Sequence, residues 1–355
     1  SRFLLSLAVA VLAVTASPSA TAAEPSFSYA DLVQRMIDLE HPATLPAAGE
    51  KCAQWASWDR SSRYDAETGK YVDWAANNDG PQFIREDGDQ VVMAEMEGPG
   101  CIWRIWSARA EQGHVKIYLD GAAEPAVDLP FVTYFRGDTP PFNYPQLSYD
   151  LGTMGCRGQN LYFPIPYQKS CKIVADKGWG RYYHFTYTTY PRSTQLPTFS
   201  TALATQHAEQ LQRVNDFLQS ALGSDPAGRR DGEHRETGSL SLAPGEKQAL
   251  ELTGPRAITA IRGKMKFRDR DDEMAALRRV VLQITFDGQE KPAVWCPLGD
   301  FFGTAPGFNP YRSLITGMTD EGGYALWYMP FAKNAMVEVV NEDQEPRELE
   351  YDITH

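Results

Sequence analysis

The apolar positions of the chain fall into short runs over most of its length. Between Val91 and Tyr190 these runs are alternating or continuous and are bounded by Gly, Pro and Asp, a pattern typical of an all-β domain. A second strand-rich segment runs from Leu240 to the carboxyl end. We therefore expect an all-β protein, because the alternation of strands and helices that a Rossmann or TIM fold requires is missing.

Two segments show helical spacing instead. Ser28 and Asp31 form a capping-box-like pair, which predicts a short amphipathic helix over residues 29–40. Residues 201–222 predict one long helix, with Gly223 placed as its C-cap. We expect this long helix to pack against a sandwich through its apolar positions, which are Leu203, Leu211, Val214 and Leu218.

The two strand-rich halves resemble each other. The run VKIYLDGAAEP, which contains Asp120, is echoed by LQITFDGQEKP, which contains Asp287, and the Pro and aromatic pair that follows keeps the same offset. Repeats of this size suit a jelly roll better than a propeller. We expect a tandem double jelly roll, with β-sandwiches at residues 48–199 and 238–355 joined by a helix and linker at residues 200–237. The alternative is that the second sandwich is truncated at His355, so that an edge strand or a tail is missing.

The amino terminus has the pattern of a secretory signal. Arg2 precedes an apolar run from Phe3 to Val14, which is too short to span a bilayer, and Ala20-Thr21-Ala22 reads as a cleavage site. We expect a signal peptide at residues 1–23, a helical segment at residues 24–47, and a periplasmic or secreted mature protein.

Composition narrows the class of partner. With 43% hydrophobic and 23% charged residues the chain is globular, and its net charge of -12 disfavours nucleic acid or an anionic membrane as a partner. The 5 cysteines show no CxxC spacing, which argues against a zinc ribbon or a thioredoxin site. A Cys156–Cys171 disulfide and buried free thiols are both open.

Several kinds of catalysis lack their motifs. There is no GxSxG elbow, P-loop, GxGxxG after a strand or HExxH, and the 6 histidines have no metal-ligand spacing. We expect neither Ser-His-Asp hydrolysis nor a metal. What remains is carboxylates near turns together with 12% aromatic residues, which is typical of a carbohydrate site.

Three carboxylates in the second half are the catalytic candidates. Asp300 stands where the first repeat has Thr133, so only the second copy has an acid at this position. Asp320 and Glu321 precede a Gly-Gly pair, in a loop that is able to reach the same pocket. For all three, an ordinary turn role remains an alternative.

The first half supplies candidates for sugar binding. Asp73-Trp74, Asn77, Asn78 and Asp79 form a polar loop with an aromatic residue, which fits hydroxyl recognition or a plain Asx turn. Trp103 and Trp106 are three positions apart, so we expect them on opposite faces of a strand, with at least one in the core. We interpret Glu95 and Glu97 as lying on an exposed strand face.

Six ordered motifs resemble one known family. They are Trp58-Asp59-Arg60, Ala76-Asn77-Asn78-Asp79-Gly80, GPGCIWRIW from Gly98, IYLDG from Ile117, PLGDFFG from Pro297 and MPFAK from Met329. This set is similar to the DUF2961 family, now classed as glycoside hydrolase family 172, over nearly all of the mature chain. The resemblance implies a double jelly roll assembled as trimers or hexamers. It also implies retaining exo-hydrolysis of α-D-fructofuranosides or D-arabinofuranosides by two glutamates, without a cofactor.

The resemblance also assigns residues, with one departure. Laid over the family's GTEDYF-like nucleophile motif, PLGDFFG puts Gly299 at the Glu position and Asp300 at the following Asp. The acid/base glutamate of the family lies further on, where this chain offers Asp320 and Glu321, and we favour Glu321. Substrate contacts are implied for the amino-terminal motif, which is matched with an insertion, and for its aromatic neighbours: Asp59, Arg60, Trp74, Asn77, Asn78, Asp79 and Trp106.

Two hypotheses follow. The first is an exported furanoside hydrolase with Glu321 as proton donor and Asp300 as nucleophile or electrostatic stabiliser. The second is a catalytically silent carbohydrate-binding or assembly protein on the same fold, motivated by Gly299. In either case we expect the loops that carry Asp79, Asp300 and Glu321 to gather at a boundary between protomers.

Overall fold

The computed structural model describes residues 25–355, so the predicted signal peptide at residues 1–23 lies outside the described residues. Residues 51–189 contain fourteen strands. In chain order they are β1 (Lys51–Ala56), β2 (Arg63–Asp65), β3 (Lys70–Val72), β4 (Arg85–Asp87), β5 (Gln90–Glu97), β6 (Gly100–Ser107), β7 (Arg109–Ala110), β8 (His114–Leu119), β9 (Val127–Pro130), β10 (Ser148–Asp150), β11 (Gln159–Tyr167), β12 (Ser170–Asp176), β13 (Gly180–Arg181) and β14 (His184–Thr189).

Residues 235–354 contain twelve more strands. They are β15 (Arg235–Leu242), β16 (Lys247–Thr253), β17 (Arg256–Ile258), β18 (Ala260–Met265), β19 (Val280–Phe286), β20 (Val294–Pro297), β21 (Tyr311–Arg312), β22 (Thr316–Thr319), β23 (Gly322–Ala325), β24 (Met329–Phe331), β25 (Asn334–Asn341) and β26 (Arg347–Thr354). The α-helices of the described residues are α1 (Tyr29–Gln34), α2 (Thr201–Gln206), α3 (Ala208–Ser220), α4 (Arg270–Arg279) and α5 (Leu298–Phe301).

Each half is a sandwich of two antiparallel sheets. In the first, the sheets have the orders β1-β14-β6-β11-β10 and β4-β5-β12-β8-β9, and in the second β15-β26-β18-β23-β22-β21 and β16-β25-β19-β20. Five strands of one sheet and four of the other therefore correspond one to one, in the same chain order. Each sandwich has its own apolar core, centred on residues such as Phe163 and Ile117 in the first and Leu282 and Val337 in the second. The predicted all-β tandem double jelly roll is confirmed.

The predicted helices form, but with different bounds. The capping box of Ser28 and Asp31 is present, yet α1 ends at Gln34 and continues only as a 3-10 turn, Arg35–Ile37. The single helix predicted at 201–222 is wrong, because it divides into α2 and α3 at His207. There the backbone leaves the helical region, at φ -106 and ψ 19, and the ring packs 5.3 Å from that of Tyr29. The helix and linker predicted at residues 200–237 end slightly earlier than expected, because β15 begins at Arg235.

A bulge changes the predicted orientation of two tryptophans. In the pairing of β6 with β14, Ile102 lies opposite Tyr187 and Arg104 opposite Thr186, so Trp103 is an extra residue. An extra residue inverts the side-chain alternation beyond it. Neither Trp103 nor Trp106 therefore enters the main core, and the expectation that they point to opposite faces is wrong.

Helix α4 has no counterpart in the first sandwich and was not predicted. Its N-cap is Asp269, whose side chain accepts a hydrogen bond from the Asp272 N–H, and three acidic residues occupy the first turn. Leu277 of α4 is buried in the core of the second sandwich. This insertion packs directly on α5, which follows β20 at the position of the Phe131–Phe135 turn in the first sandwich.

The amino-terminal segment touches both sandwiches. Tyr29 and Val33 of α1 pack in the first core together with Leu211 of α3. Leu211 was predicted to pack against a sandwich as part of the apolar side of residues 201–222. Leu39 instead packs with Tyr324 and other apolar residues of the second sandwich. The five cysteines form no disulfide, and so the Cys156–Cys171 alternative is excluded.

Candidate functional site

The loop after β1 holds the first group of predicted binding residues together. The Asp59 N–H donates to Asp79 Oδ1 at 3.0 Å, and the Asn78 N–H donates to Asp59 Oδ2 at 2.9 Å. Hydrogen bonds from the hydroxyl and amide of Ser61, and then from Asn78, hold the pKa of Asp59 below its usual value. Arg60 donates to the carbonyls of Ala56 and Trp58, so the loop is tied to the end of β1.

The insertion between Asp59 and Asn78 folds as the hairpin β2–β3. Its exposed aromatic side chains lie in a row, with ring centroids 5.4 Å apart for Tyr64 and Tyr71 and 6.1 Å apart for Tyr71 and Trp74. Trp74 is 80% exposed. Exposed rings of this kind are available to stack on a sugar, although the pairs are edge-to-face and offer no single flat platform.

Trp106 lies on the outward face of the first sandwich, close to the Asp59 loop. Cross-strand pairing puts His184 opposite both Trp106 and Ala56, and Ala56 is where Arg60 is anchored. The rings of Trp106 and His184 are 4.6 Å apart. The predicted binding residues of the first half are thus brought to one end of one sandwich.

Asp320 and Glu321 form the two-residue turn between β22 and β23. The Glu321 N–H donates to Thr319 Oγ1 at 3.2 Å, which fixes the turn. The Glu321 carboxylate is 92% exposed and lies 3.8 Å from Lys264 Nζ. Both acids border an open groove of about 580 Å³, whose other walls include Tyr311 and Arg312.

Asp300 lies on α5 and has a partner of its own. Its Oδ2 accepts a hydrogen bond from Arg278 Nη1 of α4 at 2.5 Å, with both side chains part-exposed. Leu298 and Phe302, on either side of it, line a second groove with Asp320, but Asp300 is not one of its lining residues. No hydrogen bond or ion pair joins Asp300 to Asp320 or Glu321 within residues 25–355.

Gly299 is enclosed by the inserted helix. A Cβ atom at this position would lie 3.0 Å from the Leu277 carbonyl oxygen and 3.1 Å from Leu277 Cβ. Contacts this short require Leu277 to move. Helix α4 therefore occupies the space that a longer side chain at position 299 would need.

The predicted site residues form three separate groups within one chain. Asp59, Asn78 and Asp79 are joined by hydrogen bonds in the first sandwich, and Arg60 is anchored beside them. In the second sandwich Asp300 is paired with Arg278, and Glu321 faces Lys264. Glu95 is paired with Arg85 and lies on the exposed face of β5, as interpreted from the sequence. Nowhere in residues 25–355 do three His, Cys, Asp or Glu side chains group as a metal site would need.

Sequence reasoning missed several residues beside Trp106. Arg104, Asn160, Tyr162 and His184 share its outward face, because they alternate with the core residues of β6, β11 and β14. Their alternation was visible in the sequence. Their proximity was not, because it depends on strand order and on the bulge at Trp103.

Comparisons with known proteins agree with the two-part architecture. Residues 48–207 match a family model described as GH172 first beta-sandwich domain, and residues 232–354 match one described as GH172 domain-like. No curated protein gives a significant match. No helix among the described residues is both long and apolar enough to serve as a membrane span.

Distant likenesses exist among solved structures. The major capsid protein P2 from bacteriophage PM2 is 9% identical, with 86% of this chain and 97% of that chain covered and a TM-score of 0.22. PBCV-1 VP54, fitted into a reconstruction of the virophage Sputnik, is 8% identical, with 75% and 88% covered and a TM-score of 0.20.

Proposed function

Because the chain belongs to the GH172 family, whose models match both of its sandwiches, we propose that it is an exported glycoside hydrolase acting on furanosides. The substrate class is an α-D-arabinofuranoside or α-D-fructofuranoside within a glycan. No cofactor and no metal take part. The export step rests on the signal-like pattern of residues 1–23, which predicts a periplasmic or secreted location.

The acidic turn of Asp320 and Glu321 carries this proposal. It places two carboxylates on the rim of an open groove, beside the aromatic ring of Tyr311 and the guanidinium of Arg312. A sugar site needs this combination, since carboxylates perform the proton transfer and rings and cations orient the ligand. The exposure of Glu321 leaves its carboxyl free to reach a glycosidic oxygen.

The reaction follows the retaining scheme. The Asp300 carboxylate attacks the anomeric carbon while Glu321 protonates the departing glycosidic oxygen, which leaves a glycosyl ester on Asp300. Water, deprotonated by Glu321, then attacks the same carbon and releases Asp300 as a carboxylate. Arg278 holds the Asp300 side chain in place through its hydrogen bond.

A retaining pair requires carboxyl groups about 5–5.5 Å apart. The family resemblance implies a trimer or hexamer, and within one chain Asp300 and Glu321 have different cationic neighbours, Arg278 and Lys264. We therefore propose that the complete site forms between protomers of such a homo-oligomer. The Asp59 loop and the hairpin of Trp74 then supply substrate contacts from a neighbouring copy. Asn77, Asn78, Asp79 and Trp106 belong to the same binding surface.

Hydrolysis of nitrophenyl α-D-arabinofuranoside and α-D-fructofuranoside tests this function. Asp300→Asn removes the nucleophile and Glu321→Gln removes the proton donor. Each should lower turnover at least about 100-fold, which is the low end for losing a general acid or base. Arg192→Gln is the matched control, because Arg192 is an exposed ion-pair residue on the first sandwich. Sedimentation should show the oligomer in both variants. Near-normal turnover in both catalytic variants would show that the catalytic pair consists of other residues.

A second candidate function is carried by Gly299. The position at which the family motif has its nucleophilic glutamate is a glycine here, and a Cβ atom at this position would be in close contact with Leu277 of α4. On this reading the protein binds furanoside glycans without cleaving them. Sugar binding by calorimetry, with no product from either nitrophenyl glycoside, would select this function over hydrolysis.

A further inference from the structure

The outward face of the first sandwich carries an arginine among aromatic rings. Strands β10, β11, β6 and β14 are consecutive neighbours in the sheet, and their outward residues meet in cross-strand pairs. We call this surface the Arg104 face. It consists of Arg104, Trp106, Tyr149, Asn160, Tyr162 and His184.

Two aromatic pairs flank the arginine. Tyr149 and Tyr162 are near-parallel, at 25° with centroids 6.4 Å apart, on the β10–β11 side. Trp106 and His184 are tilted at 34° with centroids 4.6 Å apart on the β6–β14 side. Neighbouring strands lie about 4.8 Å apart, so the face extends over about 14 Å, long enough for an extended ligand.

Arg104 is held in place with donors to spare. Its Nη2 donates to Asn160 Oδ1 at 2.8 Å, and its Cζ lies 5.6 Å from the ring centre of Tyr162. Its Nε is buried without a hydrogen-bond partner, and within residues 25–355 Arg104 forms no ion pair. The Arg104 guanidinium is therefore fixed, has no acidic partner among these residues, and lies beside the ring of Tyr162, which is 39% exposed.

The charge of this face is opposite to that of the protein. Gln54, Ala56 and Thr186 lie at further outward positions on β1 and β14, so none of these outward positions holds a carboxylate, although the whole chain has a net charge of -12. Carboxylates lie at its edges: Asp150 at the end of β10, and Asp59 and Asp79 in the loop that follows Ala56. Asp150, next to Tyr149, is held by the Gly152 N–H and by Gln159. Burial, and then the Arg104 cation, lower the pKa of His184, which disfavours a second positive charge on this face.

We propose that the Arg104 face binds a carboxylate-bearing sugar residue, a uronic acid within a glycan chain. The sugar rings stack on Tyr162 and Trp106, and the carboxylate accepts a charge-assisted hydrogen bond from Arg104 Nη1. This binding goes beyond the proposed hydrolysis, because it requires neither Asp300 nor Glu321, and it shares only Trp106 with the proposed furanoside-binding surface. The protein would thereby be retained on an acidic polysaccharide.

Calorimetry with the full chain tests this site. The probes are tetragalacturonate, its methyl ester and a neutral arabino-tetrasaccharide. Tetragalacturonate should bind the native protein, and the methyl ester should bind at least about tenfold more weakly, because it lacks the charge. Arg104→Gln should cause a similar loss for tetragalacturonate.

Two further variants keep the test independent of folding. Tyr162→Ala removes an exposed ring and should weaken binding about 3- to 10-fold. Arg192→Gln, an exposed arginine paired with Glu97 on the same sandwich, should bind as the native protein does. The proposal fails if tetragalacturonate does not bind, if its ester or the neutral sugar binds equally well, or if Arg104→Gln with a native circular dichroism spectrum retains full affinity. None of these outcomes depends on whether nitrophenyl furanosides are hydrolysed.

Discussion

Asp120 and Asp287 occupy the same turn in the two sandwiches. Both have left-handed backbone conformations, at φ 55 and 54, and both precede a glycine. The Lys169 N–H donates to Asp120 Oδ1 at 2.5 Å, and the Lys333 N–H donates to Asp287 Oδ1 at 2.6 Å. The predicted equivalence of the two Asp–Gly turns is thus confirmed, because each carboxylate accepts a hydrogen bond from the equivalent backbone N–H.

Removing either carboxylate should destabilise its own sandwich. Asp120→Ala loses three backbone N–H donors and the Thr198 hydroxyl as partners, and it puts alanine in a left-handed conformation, so the free energy of unfolding should fall by about 1–3 kcal/mol. Asp120→Asn should lose less, because asparagine tolerates this conformation and still accepts hydrogen bonds. Urea unfolding of both variants provides the comparison. Equal losses for Ala and Asn would contradict the role of the turn.

Helix α3 should behave as part of the scaffold of the first sandwich. Leu211 is fully buried in the first core, so Leu211→Ala should reduce the free energy of unfolding by about 2–5 kcal/mol. Arg213→Ala, on the exposed side of the same helix, should change it by less than about 0.5 kcal/mol. Thermal unfolding monitored by circular dichroism measures both. A small effect at Leu211 would show that the helix is dispensable.

The contact between Leu277 and Gly299 can be tested by a double-mutant cycle. Gly299→Ala should lower the melting temperature, because the new Cβ meets the Leu277 carbonyl oxygen and Cβ. Leu277→Gly removes that Cβ, at the cost of core packing and of a glycine within α4. The combined variant should therefore lose less stability than the two single losses added together. Strictly additive losses would mean that a side chain at 299 escapes α4 by another route.

The repeat and the capping box could be predicted from the sequence because both depend on short-range patterns. The matched Asp–Gly turns and the Ser28–Asp31 pair each lie within a few residues of what they organise. The bulge at Trp103 could not be predicted, because it exists only in the register between β6 and its neighbours. Helix α4 was missed because it interrupts an otherwise regular strand pattern.

The candidate site was predicted only in part for the same reason. Asp59 and Asn78 come from one motif and meet through a single loop, so their proximity followed from the sequence. The Arg104 face combines side chains from four strands that are far apart in the chain, and its composition depends on sheet order. The partner of Asp300, Arg278, comes from the unpredicted helix.

A buried charge network in the second sandwich gives the last prediction. Arg347 donates to Asp272 Oδ1 at 2.8 Å through Nη1 and to Asp343 Oδ2 at 3.0 Å through Nε, and all three side chains are buried. The network links α4 to β26. Hydrogen bonds hold the pKa of Asp272 below its usual value, and those from Arg268 contribute more than the one from Arg347. Burial alone would raise the pKa of Asp343, but the hydrogen bonds led by that from Arg347 lower it.

The sign of the pH dependence follows. Both folded pKa values lie below the ordinary 3.8, so the stabilisation is fully present above that value and is lost as the pH falls through the lower folded values. Arg347→Met leaves two buried carboxylates without this partner, which should cost about 3–5 kcal/mol at pH 7. The cost should be smaller at pH 3, because protonation removes the unpaired charges. Tryptophan fluorescence during urea unfolding at pH 7 and 3 measures both effects.

Two further variants separate the effect of losing the arginine from the effect of leaving the carboxylates of Asp272 and Asp343 unpaired. Arg192→Met, in an exposed pair, should change stability by less than about 0.5 kcal/mol at either pH. Adding Asp272→Asn and Asp343→Asn to Arg347→Met should recover part of the loss and remove most of its pH dependence, because neutral amides need no buried counter-charge. If Arg347→Met is as stable as the native protein at both pH values, the network does not hold α4 on the second sandwich.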